Sequence, residues 1–299
     1  MISTAMKALR KKSCVAIFLA VTALGIFGSG GWLWIKFRPQ PAPTQEMIFQ
    51  GVEYIREVRN SPRPMLIHVI KVDLKTEGIR TLVTPGDPKV ELSLNAQTTS
   101  QFLEGYALQV AVNGDGFTPW HSNSLWNYYP HAGDPVDPIG FAASRGEAYA
   151  DVEKGHPILY LTSNNKARFN AAFGNTYNAI SGSEMLVRNG QALKNFSENE
   201  PQPRSAVALN QSARYLILVI VDGRQPGYSM GATLDKLAEI ITFYGGYNAM
   251  NLDGGGSSTL VKEGFFGRAE VLNSPIDNQI PGRERAVANH LGIWAKPLE

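Results

Sequence analysis

The run YLILVIV, residues 215–221, constrains the fold more than any other part of the chain. It is too short for an ordinary buried helix and almost wholly apolar, which fits a strand covered on both faces. It ends at Asp222-Gly223-Arg224. SAVALN, just before it, reads as a second strand. ATLDKLAEIITFYGG, just after it, reads as a helix with Leu234, Leu237, Ala238 and Ile241 on its apolar side and Gly245–Gly246 at its end. YNAMNL then reads as a strand leading into Asp253-Gly254-Gly255-Gly256-Ser257-Ser258. If the helix is a crossover between parallel neighbours, Asp222 and Asp253 emerge at the same sheet edge, where ligand crevices commonly form. An antiparallel pair would put them at opposite edges.

Further strands are expected in MLIHVIKVDL, GIRTLVT, ALQVAV and HPILYLT. LNAQTTSQFLEGY has helical spacing, with Thr98, Phe102 and Tyr106 on one side, and NAISGSEMLVRNG ends in a turn at Asn189–Gly190. The segment from Thr118 to Asp151 has no sustained period and reads as a long aromatic loop. The 29 glycines and 18 prolines favour turns and loops over a helix bundle. The expected fold is α+β, a mixed β-sheet core with packed helices in a single globular domain behind an N-terminal transmembrane segment. A net charge of only +2, with no basic tract in the body, argues against nucleic acid as a partner. The single cysteine, Cys14, leaves the body without disulfide or thiolate chemistry.

That transmembrane segment is expected from a basic cluster, Lys7, Arg10, Lys11 and Lys12, followed by a stretch uncharged from Ser13 to Ile35. At about 1.5 Å rise per residue the stretch is long enough for a hydrocarbon core of about 30 Å. The basic side would stay in the cytoplasm, giving a membrane-anchored protein with its body on the periplasmic or extracellular face. A signal peptide cleaved near Gly28–Gly31 is the alternative. The organisation expected is residues 1–36 as basic cluster and anchor or signal segment, 37–50 as linker and 51–299 as the domain. The sequence does not fix an oligomeric state.

Chemistry concentrates at the polar turns. Three consecutive glycines permit positive φ and leave backbone N–H groups unobstructed, so Gly254, Gly255 and Gly256 with the hydroxyls of Ser257 and Ser258 suit an anionic oxygen. The loop lacks the lysine of a Walker A sequence. Arg204, Arg224 and Arg285, and more weakly Arg283, stand beside these turns, and guanidinium groups match phosphate with paired donors. Asn113-Gly114-Asp115-Gly116-Phe117 forms a sharp polar loop. It leaves a loosely organised divalent-cation site open, calcium being the candidate ion, although the regular calcium-loop spacing is absent. His68, within a strand, reads as structural. His121 and His131 lie in the aromatic loop, where Trp120, Trp126, Tyr128 and Tyr129 suit either stacking on sugar or core closure.

The pieces AVNGDGF, PRSAVAL, VDGR, NLDGGGSSTLV and RERAVANHLGI, in this order between Val110 and Ile293, resemble the phosphodiester glycosidase family. That family includes the enzyme that uncovers mannose 6-phosphate by removing N-acetylglucosamine, and exported bacterial relatives linked to exopolysaccharide. The resemblance implies hydrolysis of a sugar-1-phosphodiester or related envelope glycan. It points to Asn113, Arg204, Asp222, Arg224, Asp253, Gly254–Gly256, Ser257, Ser258, Arg285 and Asn289. Asp115 is a departure, since the family often reads Asn-Gly-Gly-Phe-Phe there. Asp253 is the first candidate for nucleophile or general base and Asp222 the second. Two other readings stand beside this one: metal-assisted P–O cleavage using Asp115, Asp222 and Asp253, and a non-catalytic polysaccharide-binding protein.

Overall fold

The computed structural model describes residues 38–197 and 200–298. Tyr215–Val221 lies in the middle of an eight-stranded sheet, paired with Met65–Asp73 on one side and Arg204–Leu209 on the other. Beyond Arg204–Leu209 come Asn248–Asn251, Met185–Arg188 and Gln191–Ala192; beyond Met65–Asp73 come Val52–Arg59 and Thr44–Phe49. That last strand lies within the stretch expected as a linker. Both faces of the central strand are covered, as its composition requires. Leu216, Leu218 and Ile220 join a core with Val110, Val112, Leu291 and Ile293 of a second sheet, and with Leu159 and Ile180 of a third. Ile217, Val219 and Val221 pack on the opposite face with Leu234, Leu237, Ala238 and Ile241 of the helix Leu234–Phe243.

The second sheet runs Ala269–Val271, Leu260–Glu263, Val110–Asn113, His290–Trp294, Arg80–Val83. The third comprises Glu147–Ala150, Ala142–Ser144, Thr176–Ser181, Ile158–Thr162 and Ala167–Phe169. A short helix, Thr99–Gly105, is capped at Thr98 by a reciprocal capping box with Gln101 and buries Phe102 and Leu103.

Three expectations need correction. The sheets are not mixed: every strand ladder among the described residues is antiparallel, so Asp222 and Asp253 do not follow parallel neighbours. They reach one edge by another route. Arg204–Leu209 lies between Tyr215–Val221 and Asn248–Asn251 and opposes both, so the outer two run the same way. Arg204, opposite Val221, starts at the edge where the other two strands end. Secondly, the aromatic segment is not one long loop. It contains the hairpin Ala142–Ser144/Glu147–Ala150, turning through Arg145 and Gly146 at φ 54° and 89°. Strands this short and rich in alanine carry no alternation to read.

The third correction concerns the membrane. Among the described residues no helix is long and apolar enough to cross one. The two α-helices have 7 and 10 residues, at most about half of what a core of about 30 Å requires. The transmembrane part of the fold, the membrane as partner and the membrane-anchored, outward-facing location are therefore withdrawn. The stretch Ser13–Ile35 itself lies outside the described residues.

Because Leu218 is fully buried, Leu218→Ala should lower the unfolding free energy by about 2–5 kcal/mol. Urea denaturation would show this as a lower midpoint with an unchanged m-value.

Candidate active site

Two loops meet beyond the shared edge, and Asn113 fastens them. Its Nδ2 donates to the Asp253 carbonyl at 2.7 Å. Its Oδ1 accepts from Ser205 Oγ at 2.8 Å and from the Thr259 amide at 3.1 Å. The Asp253 amide returns a bond of 2.9 Å to the Gly114 carbonyl. Asn289 completes the clasp, its Oδ1 accepting from the Asp115 amide at 2.9 Å. A Cβ on Gly114 would fall 2.2 Å from that Oδ1, so only glycine permits the approach. Asn113 and Asn289 are wholly buried fasteners.

The triple glycine also makes room for its neighbours. Only Gly255 has positive φ, at 61°. Three of the loop's amides are spent inside the protein: Gly255 donates to Pro203 O at 2.9 Å, Ser257 to Gly254 O at 3.2 Å and Ser258 to Gly255 O at 3.4 Å. What the missing side chains provide is room for cations. A Cβ at Gly255 would lie 3.2 Å from both terminal nitrogens of Arg224, and one at Gly256 would lie 2.4 Å from Arg285 Nη2. The loop is a platform on which guanidinium groups lie close.

These groups line a cleft of ≈ 570 Å³ with Arg204, Asp115, Asp253 and Glu184 in its walls. Each arginine is held in place. Arg285 donates to Asp277 Oδ1 at 2.8 Å and to Ser257 Oγ at 3.2 Å, and lies 5.2 Å from the Trp120 ring centre. Arg224 donates to Gln202 Oε1 at 2.7 Å. Arg204 is buried and donates to the carbonyls of Ala232 and Glu200 at 3.2 and 3.1 Å. Arg283 pairs with the other oxygen of Asp277 at 3.3 Å, stacks over Tyr128 and does not line the cleft.

Burial pushes the Asp253 carboxyl up to about 6, against the opposing pull of the Ser257 hydroxyl and the Arg285 charge; nearby Asp115 adds to the rise. Burial also raises the Asp115 carboxyl, although Ser181 and the amides of Gly116 and Gly140 bond to it. Those bonds occupy both its oxygens. Among the described residues no group of three or more His, Cys, Asp or Glu side chains could hold a metal ion.

Asp222 is not in the cleft lining. It is buried behind it, Oδ1 accepting from Asn273 Nδ2 at 3.0 Å and the Ser274 amide at 2.8 Å. Its Oδ2 lies 3.3 Å from His68 Nε2, and His68 Nδ1 lies 2.8 Å from the Tyr54 hydroxyl. Asn273 in turn bonds the Ser258 carbonyl at 3.0 Å and the Leu260 amide at 2.8 Å. Asp222 thus braces the glycine loop from beneath, and Ser258 is buried under that loop.

Several cleft residues escaped the sequence reading, Glu184, His156 and Asn251 among them. Glu184 and His156 stand in polar turns with no distinguishing spacing; Asn251 opens the conspicuous NLDGGGSST motif, which was the available signal. Asn251 Oδ1 and His156 Nδ1 are buried without a hydrogen-bond partner among the described residues. Orphaned polar atoms in a cleft wall suit a ligand rich in hydroxyl or phosphoryl oxygens.

The family profile described as phosphodiester glycosidase matches residues 106–294. No curated protein sequence matches the chain. Among solved structures, the catalytic domain of zebrafish N-acetylglucosamine-1-phosphodiester alpha-N-acetylglucosaminidase, auto-inhibited by its pro-peptide, is similar at TM-score 0.58 and 19% identity, covering 87% of this chain and 86% of its own. A hypothetical protein from Synechocystis is similar at 0.57 and 14% identity, covering 86% of this chain and 64% of its own. A putative exported protein from Burkholderia pseudomallei K96243 follows at 0.55 and 14%, covering 79% and 75%. At these identities the likenesses establish the fold.

The raised Asp253 carboxyl predicts a pH signature in stability. Its folded value, about 6, lies above the ordinary 3.8. Between these values the folded chain keeps a proton that the unfolded chain has lost, so this carboxyl's contribution falls as pH rises through the window. Asp253→Asn should therefore gain stability relative to the unsubstituted protein from pH 4 to 6. Parallel stability curves for the two proteins across that range would contradict the assignment.

Proposed function

This chain belongs to the phosphodiester glycosidase family, and from that premise we propose that its cleft hydrolyses the glycosidic C–O bond of a sugar-1-phosphodiester. The observation that carries the reading is the placing of Asp253, a carboxyl raised to about 6, in one cleft with Arg204, Arg224 and Arg285. A phosphodiester needs little protonation to leave. Its charge must be received, and fixed guanidinium groups do this without reorganising as the bond breaks. The Asp253 carboxylate acts at the anomeric carbon, as nucleophile or as base for the attacking water. The oxygen of water ends on the sugar, and the phosphate oxygen departs with the bonding electron pair. Glu184, another carboxyl in the cleft lining, assists proton transfer. Asp222 acts as a positioning residue through Asn273. Asn251 and His156, with their unpartnered atoms, contact sugar hydroxyls or phosphate.

Hydrolysis in oxygen-18 water should place the label on the sugar. Label in the phosphate would mean P–O cleavage and overturn the proposal. Asp253→Asn should cut kcat by on the order of 10²–10⁴-fold with a native fold by circular dichroism.

The acid limb of kcat/KM should fall near pH 6, because the carboxylate form acts and activity is lost as protonation proceeds. Arg285 opposes that protonation, so Arg285→Met should move the limb to higher pH besides weakening phosphate binding. A limb that stays in place would separate Arg285 from Asp253.

A further inference from the structure

The cleft continues past Asp253. His156 and Glu184 line both the cleft and an adjoining hollow of ≈ 450 Å³. Asn170, Met185 and Arg188 line both that hollow and a third, of ≈ 290 Å³. The three hollows thus adjoin through shared lining residues, and we treat them as one extended groove. It crosses the third sheet and ends at the hairpin Met185–Arg188/Gln191–Ala192 on the edge of the main sheet. The first cleft alone falls within the range that encloses a ligand of drug size. A lone sugar-1-phosphodiester would leave the rest of the groove unused.

The chemistry of the extension is that of a carbohydrate surface with a cation. Tyr160 and Tyr247 supply flat rings with hydroxyls, and Asn170, Asn210 and Asn248 supply amides. Arg168 is committed locally: it donates to the carbonyls of Ala171 and Ala172 and stacks over Phe173. Arg188 differs. It is exposed, lines both outer hollows, and forms no ion pair among the described residues. A fixed-charge guanidinium among amides and tyrosines suits a polyhydroxylated chain bearing phosphate at intervals.

We propose that the groove binds successive repeat units of a phosphodiester-linked polysaccharide, with Arg188 engaging a phosphate beyond the bond that is cut. This rests on the glycosidase reading of the cleft and specifies its substrate as a chain rather than a single diester. A neutral glycan would leave the charge of Arg188 without a counter-ion, and Arg188 does not line the first cleft.

The test compares two probes on the full chain: methyl N-acetylglucosamine-1-phosphate, and a trimer of N-acetylglucosamine-1-phosphate units joined by phosphodiesters. The unsubstituted protein should show a higher kcat/KM on the trimer. Arg188→Glu should lower the trimer value about tenfold, Arg188→Gln by less, and neither should change the value for the methyl diester. An equal loss on both probes, or no loss on the trimer, would overturn the groove assignment while leaving the cleft's activity standing. If neither probe is hydrolysed, the glycosidase reading fails for this sugar, and calorimetric titration of the trimer decides the groove separately. Binding tighter than that of the methyl diester, and lost in Arg188→Glu, supports it; equal binding in the two proteins refutes it.

Discussion

The carboxamide of Asn113 occupies the point where the main sheet, the second sheet and the glycine loop meet. It binds Ser205 on the strand Arg204–Leu209, the Thr259 amide leading into Leu260–Glu263, and the carbonyl of Asp253. Asn113 is wholly buried. Each of its partners would be stranded by its removal, at about 1–3 kcal/mol apiece. An aspartate of the same shape could not serve. It would set an oxygen against the Asp253 carbonyl where the amide donates. The direction in which Asp253 leaves the sheet is thus decided by a neutral hydrogen-bonding side chain on another strand.

Once Asp253 is fixed, the electrostatics follow from the company it keeps. Loss of solvent raises its carboxyl, and Ser257 and Arg285 restrain the rise. The result is a group that changes charge in the range where a carboxylate can serve as base or nucleophile. The arginines could not crowd so near to an ordinary loop. Gly255 and Gly256 let two guanidinium groups lie where a side chain would stand. Asp277 holds Arg285 and Arg283 through separate oxygens, offsetting part of the charge gathered there. The cations are therefore anchored before any anion arrives, as electrostatic stabilisation of a departing phosphate requires.

Elements defined by periodicity or turn chemistry were legible in the sequence. The apolar run of Tyr215–Val221, the helix Leu234–Phe243 and the turn at Asn189–Gly190 are each set by local rules. The shared edge of Asp222 and Asp253 was also legible, although through the wrong topology. A parallel pair and two strands flanking an antiparallel third give the same shared edge. The destination of a hydrogen bond was not legible. A triple glycine looks the same whether an amide faces a ligand or, like that of Gly255, a carbonyl of the protein. Glu184 and His156 come to the cleft only because distant turns fold against it, and nothing in SGSEM or KGHPI marks that outcome.

Asp222 shows why residue type alone assigned the two aspartates similar chemistry. Each follows a buried strand and each precedes glycine. They differ in what surrounds the carboxylate. Asp222 meets His68, Asn273 and Ser274, all provided by the protein, and lies behind the cleft wall. A buried carboxyl so fully partnered is costly to disturb, and that makes it suited to holding other groups in place. Asn273 carries the constraint onward to Ser258 and Leu260, either side of Thr259, whose amide binds Asn113. The glycine loop is gripped on one flank by Asn113 and from beneath by Asp222 through Asn273. Asp253 can face the cleft because Asp222, bonded through Asn273, supports the loop that carries it.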